Sequence, residues 1–121
     1  MLAFCAPVCA AAQLVRAAHV VLTNADNGRT VSAHAGDEVK VDLTGYRGNG
    51  LTYSWSIPVS GDSTVLRRTG GRTTPTGSAT ARFHAEKDGT ATLSAQRHCR
   101  PGPGRICPLV VTPWKATVEV R

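Results

Sequence analysis

Aromatic side chains are scarce in this chain of 121 residues, of which phenylalanine, tryptophan and tyrosine together make up 5%. Proteins that bind nucleic acids interleave basic residues with aromatic residues that stack on the bases. The net charge of +6 therefore does not predict a nucleic-acid partner, although it favours partners with acidic surfaces. No apolar run is long enough to span a bilayer, and the length suits one globular domain.

Catalytic motifs are also missing. The sequence has neither a GxSxG nucleophile elbow nor an HExxH zinc motif, and it has no glycine-rich phosphate loop. His98 and Cys99 have the chemistry of a base and a nucleophile, but neighbours on a strand point to opposite faces. We therefore predict a protein that is not an enzyme and that binds neither a cofactor nor a metal ion.

Residues 1–18 differ in composition from the rest of the chain, since they are rich in alanine and contain no acidic residue. They resemble the apolar core and the small-residue cleavage zone of a signal peptide, without its basic start. The alternative is a helical or disordered leader. We predict a leader over residues 1–18, a folded domain over residues 19–121, and a secreted or extracytoplasmic protein.

The four cysteines predict one disulfide in the domain. Cys5 and Cys9 lie in the leader, which leaves Cys99 and Cys107 on either side of a segment rich in proline and glycine. A bond between them would close a short loop and restrict it, and it agrees with an oxidising compartment. The alternative, a metal site that includes His98, lacks a fourth ligand and the CxxC spacing of structural zinc sites.

Beyond residue 20, apolar and polar residues alternate with period two, which predicts strands. The stronger segments are residues 38–43, 51–57, 78–85, 90–95 and 114–120, and the weaker ones are residues 20–23, 30–33 and 63–67. Glycine-containing turns separate them, and no helical periodicity occurs. We predict an all-β, immunoglobulin-like antiparallel β-sandwich of seven or eight strands with Trp55 in its core.

Three connections between these strands are unusual in composition, namely residues 44–50, 69–77 and 97–113. In a sandwich with this strand order they gather at one end, where function would lie. The third is rich in proline and glycine and is closed by the predicted disulfide, so it would lose little entropy on binding. The alternative is that all three are ordinary solvent-exposed loops.

Four segments carry a resemblance to one family. They are AGDEV at residues 35–39, GLTYSW at 50–55, GSATARF at 77–83 and the Arg-Pro pair at 100–101. Together they resemble the opening strands, the strands that follow the first two inhibitory loops, and the third-loop motif of the chagasin-type inhibitors of papain-like cysteine proteases. The resemblance covers about residues 20–121. It implies an immunoglobulin-like domain that blocks the protease active-site cleft with three loops.

The inhibitory loops are degenerate relative to that family. Its first loop typically reads Asn-Pro-Thr-Thr-Gly, whereas this chain has YRGNG at residues 46–50, so that only the final glycine matches. Its Arg-Pro pair is followed by an aromatic residue, and here Gly102 follows. The resemblance implies partner-binding residues in all three loops: Gly48, Asn49, Gly50, Thr76, Gly77, Arg100, Pro101 and Gly102.

We therefore expect a secreted, monomeric, chagasin-like binding domain whose partner is a papain-like cysteine protease. The alternative is a cell-surface or wall-associated immunoglobulin-like module that binds a protein or an anionic polymer, because the fold alone does not choose between functions. Polymer binding would depend on Arg67, Arg68, Arg72 and Arg82. A third possibility is a structural domain of a larger exported protein.

Overall fold

The computed structural model describes residues 18–121, so most of the predicted leader, with Cys5 and Cys9, lies outside the described residues. The described part is a β-sandwich with no α-helix and one short 3-10 helix, η1. Its elements are β1 His19–Thr23, η1 Asn24–Asp26, β2 Thr30–Ala33, β3 Glu38–Leu43, β4 Tyr46–Gly48, β5 Leu51–Trp55, β6 Val59–Ser60, β7 Leu66–Thr73, β8 Ala79–Ala85, β9 Gly89–Pro101 and β10 Thr112–Val120. Within residues 18–121 no helix is long and apolar enough to cross a membrane.

The strands form two sheets. One has the order β1-β3-β8-β7, and the other has the order β2-β10-β9-β5-β4, with β6 paired to β9. The predicted all-β, immunoglobulin-like sandwich is confirmed, but it has ten strands in residues 18–121 and its sheets are mixed. β1 runs parallel to β3 because the chain reverses twice between them, once into β2 in the opposite sheet and once back. β2 likewise runs parallel to β10.

All three predicted loops are partly strand, and the first, residues 44–50, contains β4. β7 continues to Thr73, with a bulge between Arg68 and Gly70, because its backbone stays paired with β8 although its side chains are polar and exposed. The loop predicted over residues 69–77 is thereby shortened to residues 74–78. β9 similarly runs on to Pro101, where it pairs with Leu51. Backbone pairing does not need alternating side chains, so the alternation test misses these extensions.

The core follows the predicted alternation in the strands that face it. β3, β8 and β10 each bury every second residue. Trp55 is buried as predicted, and Trp114 is the largest fully buried side chain in the described range. The indole N–H of Trp55 donates to the carbonyl of Thr44 at 3.0 Å, and that of Trp114 donates to the carbonyl of Thr23 at 3.1 Å. Both bonds hold the chain where it leaves a strand, so the core also anchors one end of the sandwich.

Asp37 is the one buried acidic residue within residues 18–121. It lies in the β2–β3 turn, where its carboxylate accepts the backbone N–H of His34 at 2.8 Å and that of Ala18 at 3.0 Å. These two hydrogen bonds, that from His34 first, lower the pKa of Asp37 because they favour its charged form. The carboxylate therefore ties the turn to the start of β1 at the end opposite to the predicted binding loops.

Candidate functional site

Strand directions bring the predicted loops to one end of the sandwich. β3 and β7 run toward this end and β8 runs away from it, while β4 and β9 rise toward it in the other sheet. We call this the loop end, and define it as the β4–β5 turn (residues 48–51), the β7–β8 turn (residues 74–78) and the β9–β10 loop (residues 102–111). The gathering of the three connections follows from the sheet topology.

The β4–β5 connection is a tight hairpin rather than a loop. Asn49 and Gly50 are its two central residues and have φ values of 53° and 75°. Both lie in the left-handed region that a two-residue hairpin of type I′ requires, and Asn-Gly is the preferred sequence for it. The ring of Tyr46 packs against Gly48, where any Cβ would collide with it. The hairpin therefore offers a narrow tip with Asn49 exposed at its end.

The β9–β10 loop is closed by the predicted disulfide. Cys99 and Cys107 are bonded, with their Cα atoms 5.9 Å apart, so this prediction is confirmed. Inside the ring the backbone N–H of Arg105 donates to the carbonyl of Gly102 at 3.1 Å. Gly104, with φ of 71°, occupies the position of that turn that needs a positive φ, after a proline. A covalent bond and a tight turn thus constrain the segment between the two cysteines.

The hairpin tip and the β9–β10 loop touch through their backbones. The N–H of Gly102 donates to the carbonyl of Gly50 at 2.8 Å. A Cβ on Gly102 would lie 2.6 Å from that carbonyl oxygen, and a Cβ on Gly50 would lie 2.7 Å from Nε of Arg105. At Gly102 the clash is with backbone, so a side chain does not fit there. At Gly50 the positive φ favours glycine, and any side chain would require Arg105 to move. The two connections therefore form one body instead of two independent loops.

The β7–β8 turn sits lower on the sandwich. The backbone N–H of Trp55 donates to the carbonyl of Gly77 at 2.9 Å, so this turn lies beside the end of β5 that is farther from the hairpin tip. Gly77 is buried with φ of 92°, and a Cβ there would lie 2.6 Å from the carbonyl oxygen of Tyr53. Thr76, in contrast, is exposed. At about 3.3 Å per strand residue, the turn is set back from the tip by roughly 7–13 Å.

The predicted site residues therefore fall into two groups. Six of them lie together at the joined hairpin and β9–β10 loop, namely Gly48, Asn49, Gly50, Arg100, Pro101 and Gly102. The other two form the lower turn, where Thr76 is available for contact and Gly77 holds the turn against β5.

Exposed apolar side chains mark the loop end, and the sequence prediction did not include them. Ile106 is 90% exposed, Leu109 is fully exposed, Val110 is 68% exposed and Tyr46 on β4 is 56% exposed. Clustered exposed apolar residues are typical of surfaces that bind another protein. The signal available in the sequence was an apolar run, ICPLVV at residues 106–111, that lies outside any alternating segment.

The loop end is also positive. No acidic residue occurs in residues 43–61, 63–85 or 89–118, which contain all three connections. Arg97 has a structural role, since its guanidinium lies 4.6 Å from the ring centre of Tyr53 and donates to the hydroxyl of Thr112 at 3.4 Å. Arg100 and Arg105 are exposed and make no side-chain hydrogen bond or ion pair within residues 18–121. The surface thus combines apolar groups with unpaired positive charge.

Solved structures with this architecture include cysteine protease inhibitors. The cysteine protease inhibitor EhICP2 from Entamoeba histolytica matches with a TM-score of 0.61 at 19% identity, over 88% of this chain and 99% of its own. The chain has the fold of a chagasin-type cysteine protease inhibitor. Amebosin matches this chagasin-type fold with a TM-score of 0.51 at 16% identity, over 85% of this chain and 98% of its own. PbICP-C, solved in complex with falcipain-2, matches with a TM-score of 0.50 at 14% identity, over 84% of this chain and 99% of its own.

The likeness is one of fold, because identities below 20% leave the loop residues free to differ. No protein-family model and no curated protein sequence matches the chain. Within residues 18–121 no three histidine, cysteine or acidic side chains come together as a metal site would require. The chagasin-type frame thus carries, at its loop end, a disulfide-closed and apolar β9–β10 loop.

Proposed function

We propose that the protein is a secreted or extracytoplasmic inhibitor of papain-like cysteine proteases that acts by occupying the active-site cleft with its loop end. The observation that carries this proposal is the backbone hydrogen bond of 2.8 Å between Gly102 and Gly50, which joins the hairpin tip and the β9–β10 loop into one wedge. Proteins of the same fold include a named cysteine protease inhibitor and a protein solved with the cysteine protease falcipain-2. The disulfide suits an oxidising compartment.

The mechanism would be steric and would need no chemistry from the inhibitor. Asn49 would lead the wedge into the cleft, because it stands at the narrow tip with its backbone already in the left-handed region. Leu109 and its apolar neighbours would cover the protease surface beside the cleft. Arg100 would meet an acidic rim. Since the wedge is ordered before binding, little conformational entropy would be lost on association.

The direct test is the inhibition of papain by the oxidised protein, with Leu109→Asp as the critical variant. A buried charge without a partner is costly, so Leu109→Asp should weaken inhibition by about 10-fold or more. Val21→Asp is the matched control, because Val21 is 55% exposed on the outer face of the other sheet. Both variants should keep the native tryptophan fluorescence. Absence of inhibition by the wild-type protein at micromolar concentration, or equal losses in both variants, would rule out the proposed mechanism.

A second candidate function, binding of an anionic polymer, is favoured by a trough on the outer face of the four-stranded sheet. Its lining includes Lys40, Arg72 and Arg82 together with one carboxylate, that of Asp42, and with Gly70 and Gly71, which have no side chains. Arg82 is partly neutralised by Glu38, whose carboxylate is 3.2 Å away. Lys40 and Arg72 make no side-chain hydrogen bond or ion pair within the described residues.

The other two arginines of the polymer hypothesis are engaged within the protein. Arg67 pairs with Glu86 at 3.0 Å, and Arg68 donates to the carbonyl of Pro58 at 3.1 Å. Elution from immobilised heparin tests this function, since each phosphate- or sulfate-bound cation adds to the salt dependence of binding. Arg72→Ala should elute at lower salt than Arg67→Ala if the trough binds the polymer. Equal elution of both variants would indicate binding by overall charge alone.

A further inference from the structure

The peptide bond that joins Arg105 to Ile106, called here the Arg–Ile bond, is unusually available to another protein. Both residues are exposed, and Ile106 is 90% exposed. They lie outside any strand, and the backbone N–H and C=O of Ile106 make no hydrogen bond within residues 18–121. A segment whose backbone groups are free can pair with the substrate-binding strand of a protease.

The side chain of Arg105 is equally available. It lies along Gly50, since a Cβ on that glycine would be 2.7 Å from its Nε and 2.8 Å from its Cγ. Its guanidinium makes no hydrogen bond or ion pair within the described residues. A guanidinium of this kind is suited to the two-pronged pairing that a carboxylate at the base of a specificity pocket provides.

No other basic residue within residues 18–121 combines these features. Most of the others lie in strands whose backbones are paired with a neighbour. Arg100 is followed by Pro101, whose nitrogen carries no hydrogen. Arg29 is outside the strands, but its guanidinium pairs with Asp26 at 2.9 Å and its carbonyl accepts the N–H of Thr117 at 2.9 Å. Lys87 is followed by an acidic residue.

We infer that the segment around the Arg–Ile bond binds like a substrate to trypsin-like serine proteases, which are specific for arginine or lysine, and inhibits them because the bond is hydrolysed only slowly. This inference goes beyond the proposed function, because it concerns a different class of protease and depends on the β9–β10 loop instead of the hairpin tip. The guanidinium of Arg105 would enter the specificity pocket, and Ile106 would lie on the leaving-group side of the scissile bond.

The disulfide explains why such a segment would inhibit instead of being consumed. The protease serine oxygen would attack the Arg105 carbonyl carbon, its proton would pass through the protease histidine to the leaving nitrogen, and an acyl-enzyme would form with a free amine on Ile106. Cys107, the next residue, stays bonded to Cys99, so this amine cannot diffuse away. Held close to the acyl group, it can attack again and restore the peptide bond, which slows hydrolysis by water.

Hydrogen bonds within the β9–β10 loop also favour re-formation of the peptide bond over hydrolysis. The hydrogen bond from Arg105 N–H to Gly102 O and the one from Gly102 N–H to Gly50 O hold the acyl side of the scissile bond in place. On the other side, β10 begins at Thr112 and pairs with Arg97 of β9. Both ends of a cut loop would therefore remain close to their original positions.

The test is titration of trypsin with the oxidised, folded protein, combined with intact-mass measurement. We expect stoichiometric inhibition and slow accumulation of a single form heavier by one water, which separates into two fragments at Arg105 only after reduction. Arg105→Ala should weaken trypsin inhibition by roughly 100-fold, and Arg105→Lys should retain it. Arg121→Ala is the matched control that should leave it unchanged, because Arg121 is exposed and its backbone N–H bonds to Ala33 at the opposite end of the sandwich. Tryptophan fluorescence checks that each variant is folded.

Three results would overturn the inference: no inhibition of trypsin, rapid cleavage at Arg105 with return of full trypsin activity, or inhibition that persists in Arg105→Ala. The papain assay keeps the two proposals separate. Inhibition of trypsin without inhibition of papain would refute the proposed function alone, and the reverse result would refute this inference alone.

Discussion

Replacing Gly77 by alanine should lower the free energy of unfolding by about 2–5 kcal/mol, as the sum of two separate costs. A side chain at positive φ costs about 1–2 kcal/mol, and Gly77 has φ of 92°. Overpacking adds about 1–3 kcal/mol, because the new Cβ would lie 2.6 Å from the carbonyl oxygen of Tyr53 and 3.1 Å from Cα of Ser54. Both contacts involve backbone, so the strain cannot be relieved by a side-chain rotation.

Two other glycines separate these costs. Gly36 has a similar φ of 96°, but a Cβ added there would have no other atom within 4 Å, and Gly70 has open space and no positive φ. Gly36→Ala should therefore cost only about 1–2 kcal/mol. Gly70→Ala should be neutral or stabilising by up to about 1 kcal/mol, since alanine restricts the unfolded chain.

Urea unfolding followed by tryptophan fluorescence measures all three variants, because Trp55 and Trp114 are both buried. The expected order of stability is Gly70→Ala, then Gly36→Ala, then Gly77→Ala. If Gly77→Ala lost no more stability than Gly36→Ala, the close packing of the β7–β8 turn on β5 would be refuted. The position of Thr76 relative to the hairpin tip would then have to be reconsidered.

Three further predictions concern the core, the disulfide and the β2–β3 turn. Trp55→Ala should lower the free energy of unfolding by about 3–5 kcal/mol, and a negligible change in urea unfolding would place Trp55 outside the core. Reduction of the Cys99–Cys107 bond should cost about 2–3 kcal/mol yet leave the sheet signal in far-ultraviolet circular dichroism, whose collapse would contradict a local role. Asp37→Asn should cost about 1–2 kcal/mol at neutral pH, because the amide loses charge-assisted hydrogen bonds. Folding lowers the pKa of Asp37, so this stabilisation is complete above the ordinary carboxyl pKa of 3.8 and is lost as the pH falls through the folded-state pKa. A stability difference between Asp37→Asn and the wild type that persists in acid would refute the role of the Asp37 carboxylate.

Much of the sandwich can be predicted from the sequence because several of its strands show the alternation of buried and exposed residues within their own short segments. In β3, β8 and β10 one face is buried, so side chains alternate with period two and the pattern is visible within six to nine residues. The disulfide was predictable because only Cys99 and Cys107 remain once the leader is set aside. The Asn-Gly pair at residues 49–50 also carries enough information for a tight hairpin, within the longer connection that the composition predicts over residues 44–50.

Other features depend on partners that are distant in the chain. The polar part of β7, up to Thr73, is a strand only because β8 lies beside it and supplies hydrogen bonds. The parallel pairing of β1 with β3 depends on β2 joining the opposite sheet. Neither pairing produces an alternation of apolar and polar residues in these segments. A prediction from short stretches of sequence therefore cannot find it.

At the loop end, the sequence by itself determined the chemistry: the left-handed turn residues, the two cysteines and the absence of acidic residues. Only the tertiary structure decided how these groups are used. Gly102 meets Gly50 across a separation of 52 residues because β5 and β9 are neighbours in one sheet. Ile106 and Leu109 have side chains typical of a core, and they are exposed because they lie in the connection between β9 and β10, outside both sheets.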